Sequence, residues 1–402
     1  MANSGQLANP KNQYLLFSLS RIRDKMEEPY KSTFPSTPTK MINTSHFYSQ
    51  YHGHPVEYLE ILHDEMRRLS SNMQKNDNNG SFASAGGGRI PGIIWTAGDS
   101  SLDNKFWFSD TRSAVPGAYS NMLRPKRSKC DVTYWLNYEL QNRGGSSNRN
   151  ENYMGVINTA VEATTLNQRA GGINLTEQDV FLRDHLRSDD VLIVSVGGND
   201  VALCPAPCTI ASILGLLCIP QSFIENGCTF YSCPLDDYCY GCSSSLLSCA
   251  CSFPPCMGYV NHLFGKRVEH YIRALTSKTK PKKILVCMIY FPDESRSPSW
   301  AGAALSALNY NSNPDKLQSI IKRVFEEATS QIKVPGVDEI IPVPLFNVLN
   351  GKHPDDYVAR VEPSSLGGRK MASYLLDAIF EGNLWLPNPS SGTTSPLMMN
   401  RS

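Results

Sequence analysis

The chain has 402 residues, 41% of them hydrophobic, with 38 Lys and Arg against 37 Asp and Glu for a formal net charge of +1. That length and apolar content can bury a large core, in one large domain or two ordinary ones. The balanced charge lacks the basic excess of a nucleic-acid-binding protein, and no run of about 18 apolar residues marks a membrane-spanning helix.

Residues 1–53 are polar and aromatic without clear periodicity, and Pro35 to Pro38 reads as loop. No apolar leader stands among the first thirty residues, so no signal peptide is expected and a cytoplasmic location is the default. On that expectation the sequons at Asn43, Asn79 and Asn174 carry no glycan. From Pro55 to Met73, Tyr58, Leu59, Ile61, Leu62, Met66 and Leu69 recur at helical spacing and predict an amphipathic helix. Asn76 to Gly88 is rich in Asn, Gly and Ser and reads as a linker. Residues 1–88 are therefore expected to form an extension, and 89–385 the main domain.

In the main domain apolar strands alternate with amphipathic helices. Residues 90–98 predict a buried strand ending in Gly98-Asp99-Ser100, and Met154 to Asn158 a second. Thr176-Glu-Gln-Asp179 can cap a helix running to about Leu186. Asp190 to Gly197 predicts a third strand, delivering Gly198-Asn199-Asp200. A helix over 259–277, a strand over Lys283–Tyr290, a helix over Asp315–Ile332, a strand over Glu339–Phe346 and a last helix over Gly368–Phe380 follow. The tail from 386 to 402 is rich in Pro, Ser and Thr and reads as loose. This alternation implies an α/β fold, a parallel sheet covered by helices on both faces.

Ligands of open α/β sheets collect at the carboxyl ends of the strands. A serine and an asparagine delivered there from two strand ends read as a nucleophile and an oxyanion donor. Asp99 and Asp200 fit better as loop holders, through side-chain bonds to backbone, than as reacting groups.

GDSSLDN followed about a hundred residues later by VGGND, each after an apolar strand, resembles the SGNH (GDSL-like) hydrolase superfamily. The resemblance covers about 89–385. It implies a three-layer α/β sandwich of flavodoxin-like type and an ester hydrolase with Ser100 as nucleophile. Asn199, beside Gly198, would donate to the oxyanion. It implies no metal and no organic cofactor, and an ester of a small molecule or lipid as substrate.

Two departures stand against that pattern. Where the superfamily has a glycine offering its backbone N–H to the oxyanion, this chain has Glu162, whose backbone N–H would serve instead. Where the superfamily carries Asp-x-x-His, this chain has Ala359 and Glu362. Glu362 thus stands at the base position, and His353 in the preceding loop is the alternative base. The competing reading is a pseudoenzyme that binds a ligand, lipid or partner through the old cleft.

Ten of the twelve cysteines lie between Cys204 and Cys256, in an insert over 204–258 that interrupts the rhythm just after Asn199. The insert is a candidate lid, and its Ile and Leu content suits a lipid substrate or a peripheral membrane contact. Cys239-x-x-Cys242 is half of a zinc pattern, but the other spacings do not complete it. Free or lipidated thiols, zinc and disulfides all stay open.

Overall fold

The computed structural model describes residues 41–79, 92–143, 153–169, 172–205, 207–226 and 257–382. Its centre is a five-stranded sheet: β1 (Gly92–Gly98), β2 (Tyr153–Asn158), β3 (Val191–Ser195), β4 (Lys283–Met288) and β5 (Glu339–Pro344). The order is β2-β1-β3-β4-β5 and every pairing is parallel. The expected strands are thus present: β2 begins one residue earlier than expected, and β3, β4 and β5 end two residues sooner.

The sheet is buried on both faces, as parallel sheets must be, and side chains divide with period two. Ile93, Trp95, Ala97, Leu192, Val194, Ile284 and Val286 enter one apolar cluster; Ile94, Val191, Ile193, Leu285, Cys287, Ile341 and Val343 enter the other. The first cluster is covered by α1 (Val56–Asn79), α3 (Glu177–His185), α6 (Val268–Leu275) and α7 (Pro314–Glu327). The second is covered by α2 (Val132–Asn142) and α8 (Ser365–Glu381). Between α3 and α6 lie α4 (Pro207–Cys218) and α5 (Gln221–Asn226).

Local rules explain most helix starts. Thr176 and Asp179 form a capping box on α3, Asp131 caps α2, and Ser364 caps α8 by accepting from the Gly367 N–H. That last cap starts α8 three residues before the expected Gly368. The expected 259–277 helix is instead interrupted by a π-turn over Leu263–Arg267.

Asn76–Asn79, expected as linker, continue α1 as helix. The helix is built into the main core: Leu59, Leu62 and Met66 are buried in the cluster that holds Trp95. Arg67 makes a bidentate ion pair with buried Asp190 (2.8 and 3.1 Å), which also accepts from the Ile93 N–H and the Trp95 indole. Among the described residues no helix is long and apolar enough to cross a membrane.

Of the insert, residues 204–205, 207–226 and 257–258 are described; Cys239, Cys242 and most of the clustered cysteines lie outside the described residues. Helix α4 leaves Ile210 and Leu214 exposed, and α5 leaves Phe223 exposed. Cys204 and Cys218 are exposed free thiols.

Candidate active site

Strand β1 delivers Ser100 and the adjacent strand β3 delivers Asn199, at one edge of the sheet. Gly98 pairs with Ser195 across these strands, and the Asp99 N–H donates to the Ser195 carbonyl (3.0 Å). Gly98 has φ +133°, and a Cβ there would collide with the Ser195 carbonyl oxygen, so only glycine permits this close crossing. The strand therefore ends in a sharp turn that presents Ser100, 7% exposed.

Ser100 Oγ donates to Glu362 Oε1 at 3.3 Å. Glu362 sits on a two-residue strand, Glu362–Pro363, paired antiparallel with Tyr357–Val358 just before α8. Asn104 clamps that strand to the serine loop: its amide donates to the Pro363 carbonyl (2.9 Å) while its carbonyl accepts from the Val132 N–H. The Tyr290 hydroxyl donates to the Val361 carbonyl from the other side (2.7 Å). A residue far away in sequence is thus fixed within reach of Ser100.

Asn199 opens the short helix Gly198–Ala202, entered through Gly197 in a left-handed conformation. Its side-chain amide donates to the Thr164 carbonyl (3.1 Å), and Thr164 Oγ1 in turn faces the Gly98 carbonyl (3.4 Å). Asp200 accepts from the Leu166 and Asn167 amides (2.7 and 3.0 Å) and so pins the 162–169 loop. Asp99 accepts from the Ser101 N–H (3.0 Å), a bond that shapes its own turn.

One expectation is corrected. The Glu162 backbone N–H does not face the serine site; it donates to Asp103 Oδ2 (3.2 Å). The cause is a buried polar knot that the sequence did not reveal: Lys105 Nζ lies 2.6–2.7 Å from both Asp103 oxygens, with both side chains fully buried. Asn158 adds its amide to Asp103 Oδ1 (3.1 Å). Asp103 is left as the strongest acceptor for the amide of the loop above it.

His353 lies exposed at the N-terminus of a short 3-10 turn, and its side chain joins none of these contacts. Tyr51 was missed. Its phenol is pushed up by burial and then by the charges of Glu162, Glu362 and Asp103; its ring meets Phe106 edge-on at 4.9 Å. Nothing in the sequence marks Tyr51, which reaches the site only through tertiary packing. Lys105 carried a faint signal: a charge two residues after Asp103, directly following the serine motif.

The electrostatics are dominated by crowded acids. Burial, then Asp99, pushes the Glu362 carboxyl up to about 8, against which the Ser100 hydrogen bond acts. Burial, then Glu362 and Asp103, pushes Glu162 up to about 10. Burial raises Asp99 to about 6. Like charges in a low-dielectric pocket cannot all ionise together. Glu162 Oε2 and Glu362 Oε2 are buried with no hydrogen-bond partner. Among the described residues no cluster of metal-ligating side chains is found.

No protein-family model matches this chain, and no curated protein does. Solved structures with a similar trace are distant. An acetyl xylan esterase (AlAXEase) is 13% identical, with 72% of this chain and 100% of that one covered at a TM-score of 0.33. An acetylxylan esterase from Geobacillus stearothermophilus is 15% identical, with 72% and 94% covered at 0.32. An alpha/beta hydrolase enzyme from the metagenome of Lake Arreo, Spain, is 13% identical, with 73% and 96% covered at 0.32.

Proposed function

We propose that this protein is an ester hydrolase of SGNH type that uses Ser100 as nucleophile and Glu362 as its general base. The observation that carries the reading is the 3.3 Å hydrogen bond from Ser100 Oγ to a buried carboxylate held in place on both sides. Such a nucleophile–base contact, with the base oriented by other groups, is the arrangement acyl transfer needs. Ser100 attacks the ester carbonyl as its proton passes to Glu362 Oε1. The tetrahedral intermediate collapses, the leaving alkoxide takes that proton, and water then releases the acid by the same steps.

A base must be ionised and yet avid for a proton, so a carboxyl poised near about 8 suits the task better than one at its usual 4.5. For the oxyanion, the second N–H of the Asn199 amide is available, since only one is spent on Thr164. The Ser100 backbone N–H takes no hydrogen-bond partner among the described residues. The substrate is an ester of an acylated small molecule or of a lipid. The exposed Ile210, Leu214 and Phe223 of the insert favour the lipid.

The test is fluorophosphonate labelling together with turnover of aryl esters of graded acyl length. Labelling is expected on Ser100 and absent in Ser100→Ala. Glu362→Gln is expected to cut turnover by about 100-fold or more, and His353→Ala to leave it intact. Loss of activity in His353→Ala but not in Glu362→Gln would make the loop histidine the base. A Ser100 that neither labels nor turns over any ester would make the cleft a binding site instead.

A further inference from the structure

We propose that the side chain of Glu162 is a catalytic residue of this site, its carboxyl O–H donating to the oxyanion in place of the backbone amide at the same position. The inference rests on the hydrolase reading above and adds a residue to it.

The amide that would do this job is spent. The Glu162 N–H is bound to Asp103 Oδ2, which is itself locked to buried Lys105 and Asn158. Freeing that amide would strip a buried carboxylate of a partner, which the fold resists. The loop has instead turned. Ala163, a buried non-glycine residue, is held at φ +59°, in the left-handed region, a conformation that persists only where its surroundings enforce it. The loop is fixed on both flanks, by the Val161 N–H on the Gly98 carbonyl (3.0 Å) and by the Leu166 and Asn167 amides on Asp200.

The loop lies at the serine edge, where the Thr164 carbonyl accepts from Asn199 and the Val161 N–H donates to the Gly98 carbonyl, and it carries the Glu162 side chain. It is 2% exposed, and its Oε2 has no partner. A buried polar atom left unpaired in a native fold asks for a functional reason. The charges facing it are Glu362, Asp103, Lys105 and Lys129, with the Tyr51 phenol and the Trp107 indole. Asp103 and Lys105 neutralise one another, and Glu362 opposes the ionisation of Glu162. Ser100 donates to Glu362 Oε1 and so favours its ionised form, while Glu162 Oε2 has no donor, which leaves Glu162 the group that keeps its proton. When Glu362 is ionised and able to accept the Ser100 proton, Glu162 still carries its own and can point it at a developing negative charge. A neutral carboxyl in an apolar setting is a strong hydrogen-bond donor to an oxyanion, and its proton is shared there, not transferred. As Ser100 Oγ bonds to the ester carbon, the carbonyl π pair moves onto oxygen and the Glu162 O–H shortens onto it. On collapse the pair returns and the O–H relaxes.

The test compares Glu162→Ala and Glu162→Gln with the wild type by ester turnover across pH 6–11 and by fluorophosphonate labelling. Losing one oxyanion donor costs about 100- to 1000-fold in kcat, so Glu162→Ala should fall by that much with KM little changed. Glu162→Gln retains an N–H donor that cannot ionise; it should fall by only about 10-fold and lose the alkaline limb of the wild-type profile. Glu162→Ala as active as wild type, or Glu162→Gln retaining the alkaline limb, would overturn the inference and leave the hydrolase reading standing. If Glu162→Ala does not fold, the pH profile of Glu162→Gln decides alone. A wild type whose Ser100 neither labels nor turns over any ester overturns both.

Discussion

Replacing Glu362 by glutamine should stabilise the protein, and the gain should grow with pH. The carboxyl is 3% exposed and ionises at about 8 in the folded protein against its usual 4.5 in the unfolded chain. Below pH 4.5 both states hold the proton and nothing is lost. Between 4.5 and about 8 the unfolded chain has released the proton and the folded one has not, so stability falls as pH rises. Above about 8 both are ionised and the loss saturates. With tenfold in proton affinity worth about 1.4 kcal/mol, the penalty is about 1 kcal/mol at pH 5, about 3 at pH 7 and about 5 at pH 9. Glutamine does not titrate, and its Oε1 can still accept from Ser100. Any cost of burying its amide is independent of pH and cancels in the comparison. Urea unfolding of Glu362→Gln and wild type at pH 5, 7 and 9 reads the difference directly. A difference that stays flat from pH 5 to pH 9 would refute the burial argument and with it the poised base. The expectation that one substitution both stabilises and disables is the usual mark of a functional group kept at a cost to the fold.

Lys105→Met should destabilise by about 3–5 kcal/mol in chemical denaturation, because Asp103 is left as an unpaired buried charge; the double variant Asp103→Asn/Lys105→Met should recover much of that, and no recovery would mean the pair is not the cause. Arg67→Ala should cost a similar amount by leaving Asp190 short of its counter-charge, and a loss under about 1 kcal/mol would show that α1 is not locked to the sheet in solution.

Strands were the most legible elements, because both faces of a parallel sheet are buried and each strand reads as an unbroken apolar run. The placement of Ser100 and Asn199 at one sheet edge was legible for a related reason: they follow within a few residues of the ends of β1 and β3, and strand ends share one edge. Helix α2 was missed. Its inward face includes Thr133 and Asn137, and Asn137 exchanges hydrogen bonds with the Val156 backbone on β2. Polar residues on the core side dilute the helical period that sequence reading depends on. The fate of the Glu162 amide was illegible for another reason. It depends on Asp103 being fixed by Lys105, and a buried lysine two positions along the chain reads in the sequence as an ordinary surface charge.

On the proposed reading, the two departures from the superfamily pattern at the carboxyl end make physical sense together. A histidine base becomes a cation when it takes the serine proton, and a carboxylate behind it stabilises that cation. A glutamate base becomes neutral when it takes the same proton, so a carboxylate behind it would only oppose its ionisation. Glu362 at the histidine position therefore removes the need for an aspartate at position 359. That position holds Ala359, at φ +48°, and the next residue, Arg360, turns its guanidinium onto the Asp293 carbonyl and the Asn311 side chain. Restoring the acid alone, as Ala359→Asp, would add a further negative charge to the segment that carries Glu362. Restoring the histidine alone, as Glu362→His, would replace the carboxylate that accepts from Ser100 by an imidazole with no acid at position 359 behind it. By this argument the pair can change together far more easily than one at a time.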